Sequence, residues 1–166
     1  MAKPPKYRLQ VLLVIKERAK RASEVALAKA IRKLKEAEEE LVKLEKERDD
    51  ILDRITLEKE RMNEAVSSGN AVMQDPQFRL NFIRKLKEDL EDIDKKIEEQ
   101  KAEIIRAQKR VQRARQDYIL AAQEMNMMEK HKELFMKKHQ KELSALEDKE
   151  MTELGMVIHQ LNKMQS

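Results

Sequence analysis

Three histidines are the residues of this chain best suited to proton transfer or metal binding. His131, His139 and His159 are separated by eight and twenty residues. Two metal ligands on one face of a helix need a spacing of three or four, as in an H-E-x-x-H motif. The chain also has no cysteine and no glycine-rich phosphate loop. The sequence therefore predicts a protein that is not an enzyme, with no catalytic residues, no metal site and no cofactor.

The composition points to long helices. Of the 166 residues, 41% are charged and only 3% are aromatic, whereas charged residues usually make up about 25%. Too few large apolar side chains remain for a round core, so the expected structure is a pair of helices sharing a narrow apolar seam. No run approaches the ~20 apolar residues of a membrane span. These features predict a cytoplasmic protein without direct membrane insertion.

One break divides the chain into two helical arms. Gly69 and Asn70 can both adopt positive φ, which suits the end of a helix. Asp75 can cap the next helix, and Pro76 fits its first turn. The sequence predicts an all-α protein, a long antiparallel two-helix coiled-coil hairpin that forms a single domain. Its predicted parts are helix 1 (8–66), a turn (67–75) and helix 2 (76–163), the last with a C-terminal overhang (136–166).

Apolar residues seven apart define the seam of each arm. In helix 1 the two sets are Leu27, Leu34, Leu41, Arg48, Ile55, Met62 and Ala30, Ala37, Leu44, Ile51, Glu58, Ala65. In helix 2 they are Ile83, Leu90, Ile97, Ile104, Val111, Tyr118, Met125 and Leu86, Ile93, Gln100, Ala107, Ala114, Ala121, Met128, Phe135. Upstream, the seam of helix 1 is predicted one residue out of phase, at Leu12, Ile15, Ala19, Ala22 and Ala26.

A fold-back near residue 71 would place residue i opposite residue 142 − i. Arg48 then faces Asp94, and Glu58 faces Arg84, so opposite charges meet inside the seam. The overhang has no opposite arm, and its apolar stripe predicts a partner-binding segment; the alternative is that it folds back or frays. Phe78 and Phe82 lie just past the turn, either as a plug that closes the hairpin or as an exposed anchor for a partner.

Charge is distributed unevenly along the chain. Residues 1–35 carry eleven Lys and Arg against two Glu, a net charge of +9, so the rest carries −5. Six more basic residues of helix 2 are predicted to lie opposite residues 27–41. These are Lys101, Arg106, Lys109, Arg110, Arg113 and Arg115. Because base-stacking aromatics are scarce and acidic residues are interleaved, the predicted partner of this band is an acidic protein and not nucleic acid.

The opening residues YRLQVLLVIKERAKRASEVALAKA, Tyr7 to Ala30, resemble the start of the FliJ/YscO (SctO) stalk proteins of flagellar and type III secretion export. Those proteins open with an aromatic residue, Arg-Leu, a short Leu-rich run and a basic, alanine-rich helix. The matching residues here are Tyr7, Arg8, Leu9, Leu12, Leu13, Lys16, Arg18 and Ala19.

The resemblance implies a central stalk at the cytoplasmic base of the secretion apparatus, at the inner membrane. The open end would insert in the hexameric export ATPase, the tip would reach the export gate protein, and export chaperones would also be engaged. By position, Phe78 and Phe82 would lie on the gate side. The residues facing the ATPase would be Arg8, Lys16, Arg18, Lys20 and Arg21. Alternatives are a structural or tethering coiled coil and the stalk of a rotary V-type ATPase.

Overall fold

Two long helices make up the computed structural model, which describes residues 6–69 and 75–164, with the side chains of the second range from residue 77 onward. Helix α1 spans Gln10–Ser67 and helix α2 spans Asp75–Met164. Strong helix formers such as Ala, Leu, Glu, Lys and Arg fill both helices. The turn predicted at 67–75 falls largely on residues 70–74, outside the described residues.

The helices pack as an antiparallel hairpin, which confirms the predicted fold class. Contacts along α1 in ascending order reach α2 in descending order: Ala37 meets Gln100, Arg48 meets Asp94, and Glu58 meets Arg79. The chain groups into two compact units. Residues 25–116 form one, and residues 1–24 with 117–166 form the other. The single domain expected from the sequence therefore remains a prediction.

The core of the unit at 25–116 is the predicted seam. Ile55, Ile83 and Leu86 are buried in one cluster, with Ile51 and Leu90 packed against it. Every predicted seam position from Leu27 to Ala65 on α1 is buried or half-buried, and so is every one from Ile83 to Phe135 on α2. The seven-residue periodicity therefore identified this seam correctly.

The upstream seam of α1 was predicted wrongly. Leu12 and Ile15 are 39% and 52% exposed, and Ala19, Ala22 and Ala26 are exposed as well. Leu13, Lys16, Lys20 and Ser23 are instead buried or half-buried, and they continue the phase of Leu27 and Ala30 without a shift; Val14 and Glu17 beside them are half-buried as well. An unbroken helix keeps its phase, and lysine stems can lie along an apolar seam while their ammonium groups reach water.

The structure tests one of the residues predicted to form the turn between the two helices. Gly69 has a φ of 68°, as predicted, and lies two residues after α1 ends. Glycine adopts this left-handed conformation without steric cost. Asn70 lies outside the described residues, as does the side chain of Asp75, so their predicted roles stay predictions.

Candidate partner-binding surfaces

The N-terminal end of α1 is fixed to α2 by an aromatic cluster. Tyr7 is only 6% exposed and lies just before the helix. Its hydroxyl is 2.7 Å from Nδ1 of His131, and its ring centroid is 5.5 Å from that of Phe135 in a tilted arrangement. Its carbonyl accepts a hydrogen bond from the N–H of Gln10, which begins α1. Tyr7 thus orients the start of the basic helix.

Sequence reasoning did not find this cluster, although the 142 − i rule pairs Tyr7 with Phe135. The spacing of the three histidines does not indicate that His131 contacts Tyr7. Among the part of the chain that the structure describes, no three His, Cys, Asp or Glu side chains converge as a metal site would require.

The five cationic residues predicted to face the ATPase fall into two groups. Arg8, Arg18 and Arg21 are exposed. Lys16 and Lys20 are half-buried at seam positions, and the Lys16 ammonium donates to Glu124 of α2 at 2.7 Å. The structure therefore leaves the three arginines most available to a partner, while Lys16 also links the helices.

Arg21 and Arg18 differ in their surroundings. The Arg21 guanidinium donates to Glu17 one turn earlier, at 2.7 Å, in an exposed pair of the i, i+4 type. Such pairs stabilise a helix only weakly. Arg18 lies seven residues after Val11 and four before Ala22, two exposed apolar residues. Arg18 therefore sits within an exposed apolar stripe of α1.

The basic band of α2 is partly neutralised by carboxylates of the same helix. Lys101 pairs with Glu98 at 3.0 Å, and both Arg106 and Arg110 pair with Glu103 at 3.0 Å. Such interleaving lowers the positive potential that a phosphate backbone would need. The remaining basic residues of the predicted band, Lys109, Arg113 and Arg115, are exposed.

The charged residues inside the seam are paired, but only one of the two predicted pairs exists. Nε of Arg48 donates to Asp94 at 2.7 Å, as predicted. This hydrogen bond, with the charge of Asp94, raises the pKa of Arg48. Glu58 was expected to meet Arg84 and instead binds Arg79 at 3.2 Å and Arg61 at 2.9 Å.

The reason for the second outcome is helical geometry. Arg79 lies four residues before the buried Ile83, on the same face of α2, whereas Arg84 follows Ile83 directly and is exposed. Neighbouring residues on a helix point about 100° apart. Arg79 lies five residues before Arg84, so the pairing rule located the partner of Glu58 only to within about one and a half turns of α2.

Phe78 and Phe82 form an exposed aromatic pair near the start of α2. They are 73% and 41% exposed. With Glu58, Arg61 and Arg79 they line one shallow groove. Neither ring is buried against the described residues, and this exposure favours an accessible anchor over a plug that closes the hairpin.

The last part of α2 presents an apolar surface. Residues 144–164 are helical and exposed along their whole length, so this segment does not fold back onto described residues. Half or more of the side-chain surface is open to solvent at several large apolar residues. These are Leu146, Met151, Leu154, Met156, Val157, Ile158, Leu161 and Met164.

Packing, charge and exposure together define a class: an antiparallel two-helix coiled-coil protein with exposed basic, aromatic and apolar surfaces. Neither helix, within the described residues, has a stretch apolar enough to span a membrane.

A family model for YscO-like proteins matches residues 4–165, and the chain therefore belongs to the YscO-like family. This confirms the family indicated by the opening residues. CT670 from Chlamydia trachomatis, described as a candidate YscO homolog, has a similar solved structure. The TM-score is 0.75 and the identity 26%, over 98% of this chain and 99% of CT670. The comparison with curated protein sequences gives no match.

Proposed function

We propose that this chain is the central stalk of a type III secretion export apparatus, working in the cytoplasm at the inner-membrane base. In this role it inserts the end that carries Tyr7 in the hexameric export ATPase and links that ATPase to the export gate protein. It has no enzymatic activity of its own. The observation that carries the proposal is the family match over residues 4–165.

Charge and exposure support an ATPase-binding role for the start of α1. Residues 1–35 carry a net charge of +9, and Arg8, Arg18 and Arg21 are exposed there. Charged surfaces of this kind accelerate association with an oppositely charged partner. Lys16 and Lys20 add charge from seam positions, and the bond from Lys16 to Glu124 holds α1 in place.

Charge reversal tests this assignment. Arg18→Glu with Arg21→Glu should abolish stimulation of the cognate ATPase, measured as phosphate release, because the positive surface is lost. Helicity by circular dichroism should be unchanged, since both residues are exposed. The matched control is Lys85→Glu with Lys87→Glu, which makes the same change in charge at exposed positions of α2. Full stimulation by the Arg18/Arg21 variant would refute the assignment.

The aromatic pair near the start of α2 supports a second contact, with the export gate. Phe78→Ala with Phe82→Ala should weaken binding to the gate protein and spare binding to the ATPase. Because both rings are exposed, the double variant should fold normally. Ile105→Ala with Ile119→Ala, at exposed positions elsewhere on α2, controls for general loss of apolar surface. If both double variants bind the gate protein equally well, Phe78 and Phe82 are not the anchor for the gate.

Export chaperones are the third proposed partner class. The exposed apolar residues of α2 between 144 and 164 give such a partner a helical surface to bind. Pull-down of purified chaperones with the full chain, compared with a Leu154→Ser variant, would detect this contact. Equal recovery with both chains would rule out this surface as the chaperone site.

A further inference from the structure

Two exposed apolar stripes lie on different helices of the unit formed by residues 1–24 and 117–166. The N-terminal stripe lies on α1 and consists of Val11, Leu12, Ile15, Ala19 and Ala22. The C-terminal stripe lies on α2 and consists of Leu146, Met151, Leu154, Val157, Ile158 and Leu161. Spacings of three and four residues link the members of the N-terminal stripe and those of the C-terminal stripe from Met151 onward, and Leu146 lies eleven residues, about three turns, before Val157, so each set shares a helical face.

The stripes carry opposite charges. Arg18 falls on the face of the N-terminal stripe, since it lies seven residues after Val11, and Arg8 is exposed in the turn just before the helix. Glu147 and Glu150 fall on the face of the C-terminal stripe, seven and four residues before Leu154. Residues 8–22 hold five basic residues and one Glu, a net charge of +4. Residues 142–154 hold five acidic residues and one Lys, a net charge of −4.

The pattern of each stripe therefore complements the other. An apolar strip that carries a cation and lies in a basic segment matches an apolar strip that carries anions in an acidic segment, as in the core and charged flanks of paired amphipathic helices. The C-terminal stripe already forms a shallow groove between Glu147, Glu150, Met151 and Leu154. An apolar side chain such as Ile15, with a cation such as Arg18 beside it, matches the apolar and acidic lining of this groove.

The two stripes of one molecule cannot meet. The face of α1 that packs on α2 contains Leu13, Lys16 and Lys20, and the N-terminal stripe lies on a different face of that helix. The C-terminal stripe belongs to an unbroken helix that continues from the paired part of α2. Contact between the stripes therefore requires two molecules.

We propose that the N-terminal stripe of one copy of this chain binds the C-terminal stripe of a second copy, so that the free protein self-associates through these faces. The contact is independent of the proposed function. It would cover Arg18, so self-association and binding of an acidic partner at the start of α1 exclude each other.

Sedimentation velocity of the full chain over a wide concentration range tests the association. The mass should rise from the 19.7 kDa monomer to that of a dimer or a larger oligomer, because each copy carries both stripes, and added salt should favour the monomer because the contact is charge-assisted. A monomer at every concentration would overturn the proposal. Since no ATPase is present, this result does not depend on the proposed function.

Charge reversal tests the faces. Arg18→Glu alone, or Glu147→Arg with Glu150→Arg, should raise the dissociation constant about tenfold or more. The triple variant should recover most of the loss. Arg21→Glu is the matched control for Arg18→Glu, and Asp148→Arg is a single reversal off the C-terminal stripe; both should leave the constant unchanged. Equal effects of stripe and control variants would contradict the proposal.

Cross-linking identifies the contact directly, since the chain contains no cysteine. Ile15→Cys and Leu154→Cys are placed in separate chains of different tag length, mixed, and treated with a short bismaleimide. The mixed product should dominate. Products that join only two Ile15→Cys chains or only two Leu154→Cys chains would show that like stripes pair, and would overturn the proposal.

Discussion

Arg48 occupies a position where the seven-residue pattern of α1 would place an apolar side chain. It is half-buried and bound to Asp94. Exposed ion pairs contribute little to stability, and a polar residue in a coiled-coil seam costs stability while fixing register. We expect Arg48→Leu to raise the Tm by a few degrees in thermal unfolding followed by circular dichroism.

The control for this change is Arg54→Leu, at an exposed position outside the seam, where no gain is expected. A lower Tm for Arg48→Leu would mean that the bond to Asp94 outweighs the added apolar burial. In that case a double variant that also replaces Asp94 by Leu should recover the loss.

The contribution of Tyr7 to stability can be separated into that of its hydroxyl and that of its ring. Tyr7→Phe removes the hydroxyl that contacts His131 and should cost about 1 kcal/mol. Tyr7→Ala also removes a ring that is 6% exposed, and loss of a buried ring typically costs about 3 kcal/mol or more. Hydrogen exchange at the amides of residues 10–16 should be faster in Tyr7→Phe than in the unchanged chain, and faster again in Tyr7→Ala.

A double-mutant cycle with His131→Ala provides the check on Tyr7. If the hydroxyl acts through His131, Tyr7→Phe should have little further effect in the His131→Ala background. Equal effects in both backgrounds would show that the hydroxyl acts elsewhere.

Individual contacts were only partly predictable from the sequence. The pairing of Arg48 with Asp94 followed from the fold-back rule alone, because both side chains point along the seam. The partner of Glu58 did not follow, because the rule was in error by about one and a half turns there and does not say which face of α2 points toward Glu58. The cluster around Tyr7 was missed because a tyrosine ahead of a helix carries no periodicity.

At the scale of the helix, the first turns of α1, residues 11–23, carry two stripes, and the more apolar one is exposed. The strict seven-residue phase of Leu27 continues back to Lys20 and Leu13. We expect Lys20→Leu with Ser23→Leu to raise the Tm, because these positions lie in the seam. Ala19→Leu with Ala22→Leu, on the exposed stripe, should leave the monomer Tm nearly unchanged at low concentration.

A rise in Tm only for Ala19→Leu with Ala22→Leu would instead support the seam predicted from apolar content. The prediction of the upstream seam was wrong because an apolar face of a helix can pack on the same chain or on another one. Phase continuity along an unbroken helix was the better guide, and it was already present in the spacing from Leu13 to Leu27.

At the scale of the whole molecule, the fold class and family could be predicted from the sequence alone. Seven-residue periodicity, one break and the opening residues sufficed, because each is a local signal repeated many times. Whether the molecule behaves as one domain is not a local property. Differential scanning calorimetry should show a single transition if the predicted single domain is correct, and two transitions if residues 25–116 unfold separately from the rest.

The hairpin itself predicts a short distance within one chain. Glu45 and Glu98 are exposed and line the same groove beside Arg48 and Asp94. Spin labels on cysteines at these positions should lie within about 20 Å, because packed helix axes are only about 8–10 Å apart. A second pair, at Glu45 and Glu64 on α1 alone, serves as a ruler of about 28 Å. Dilution with unlabelled chain should leave the Glu45–Glu98 signal intact. A signal that vanishes on dilution would mean that the two helices meet between chains and not within one.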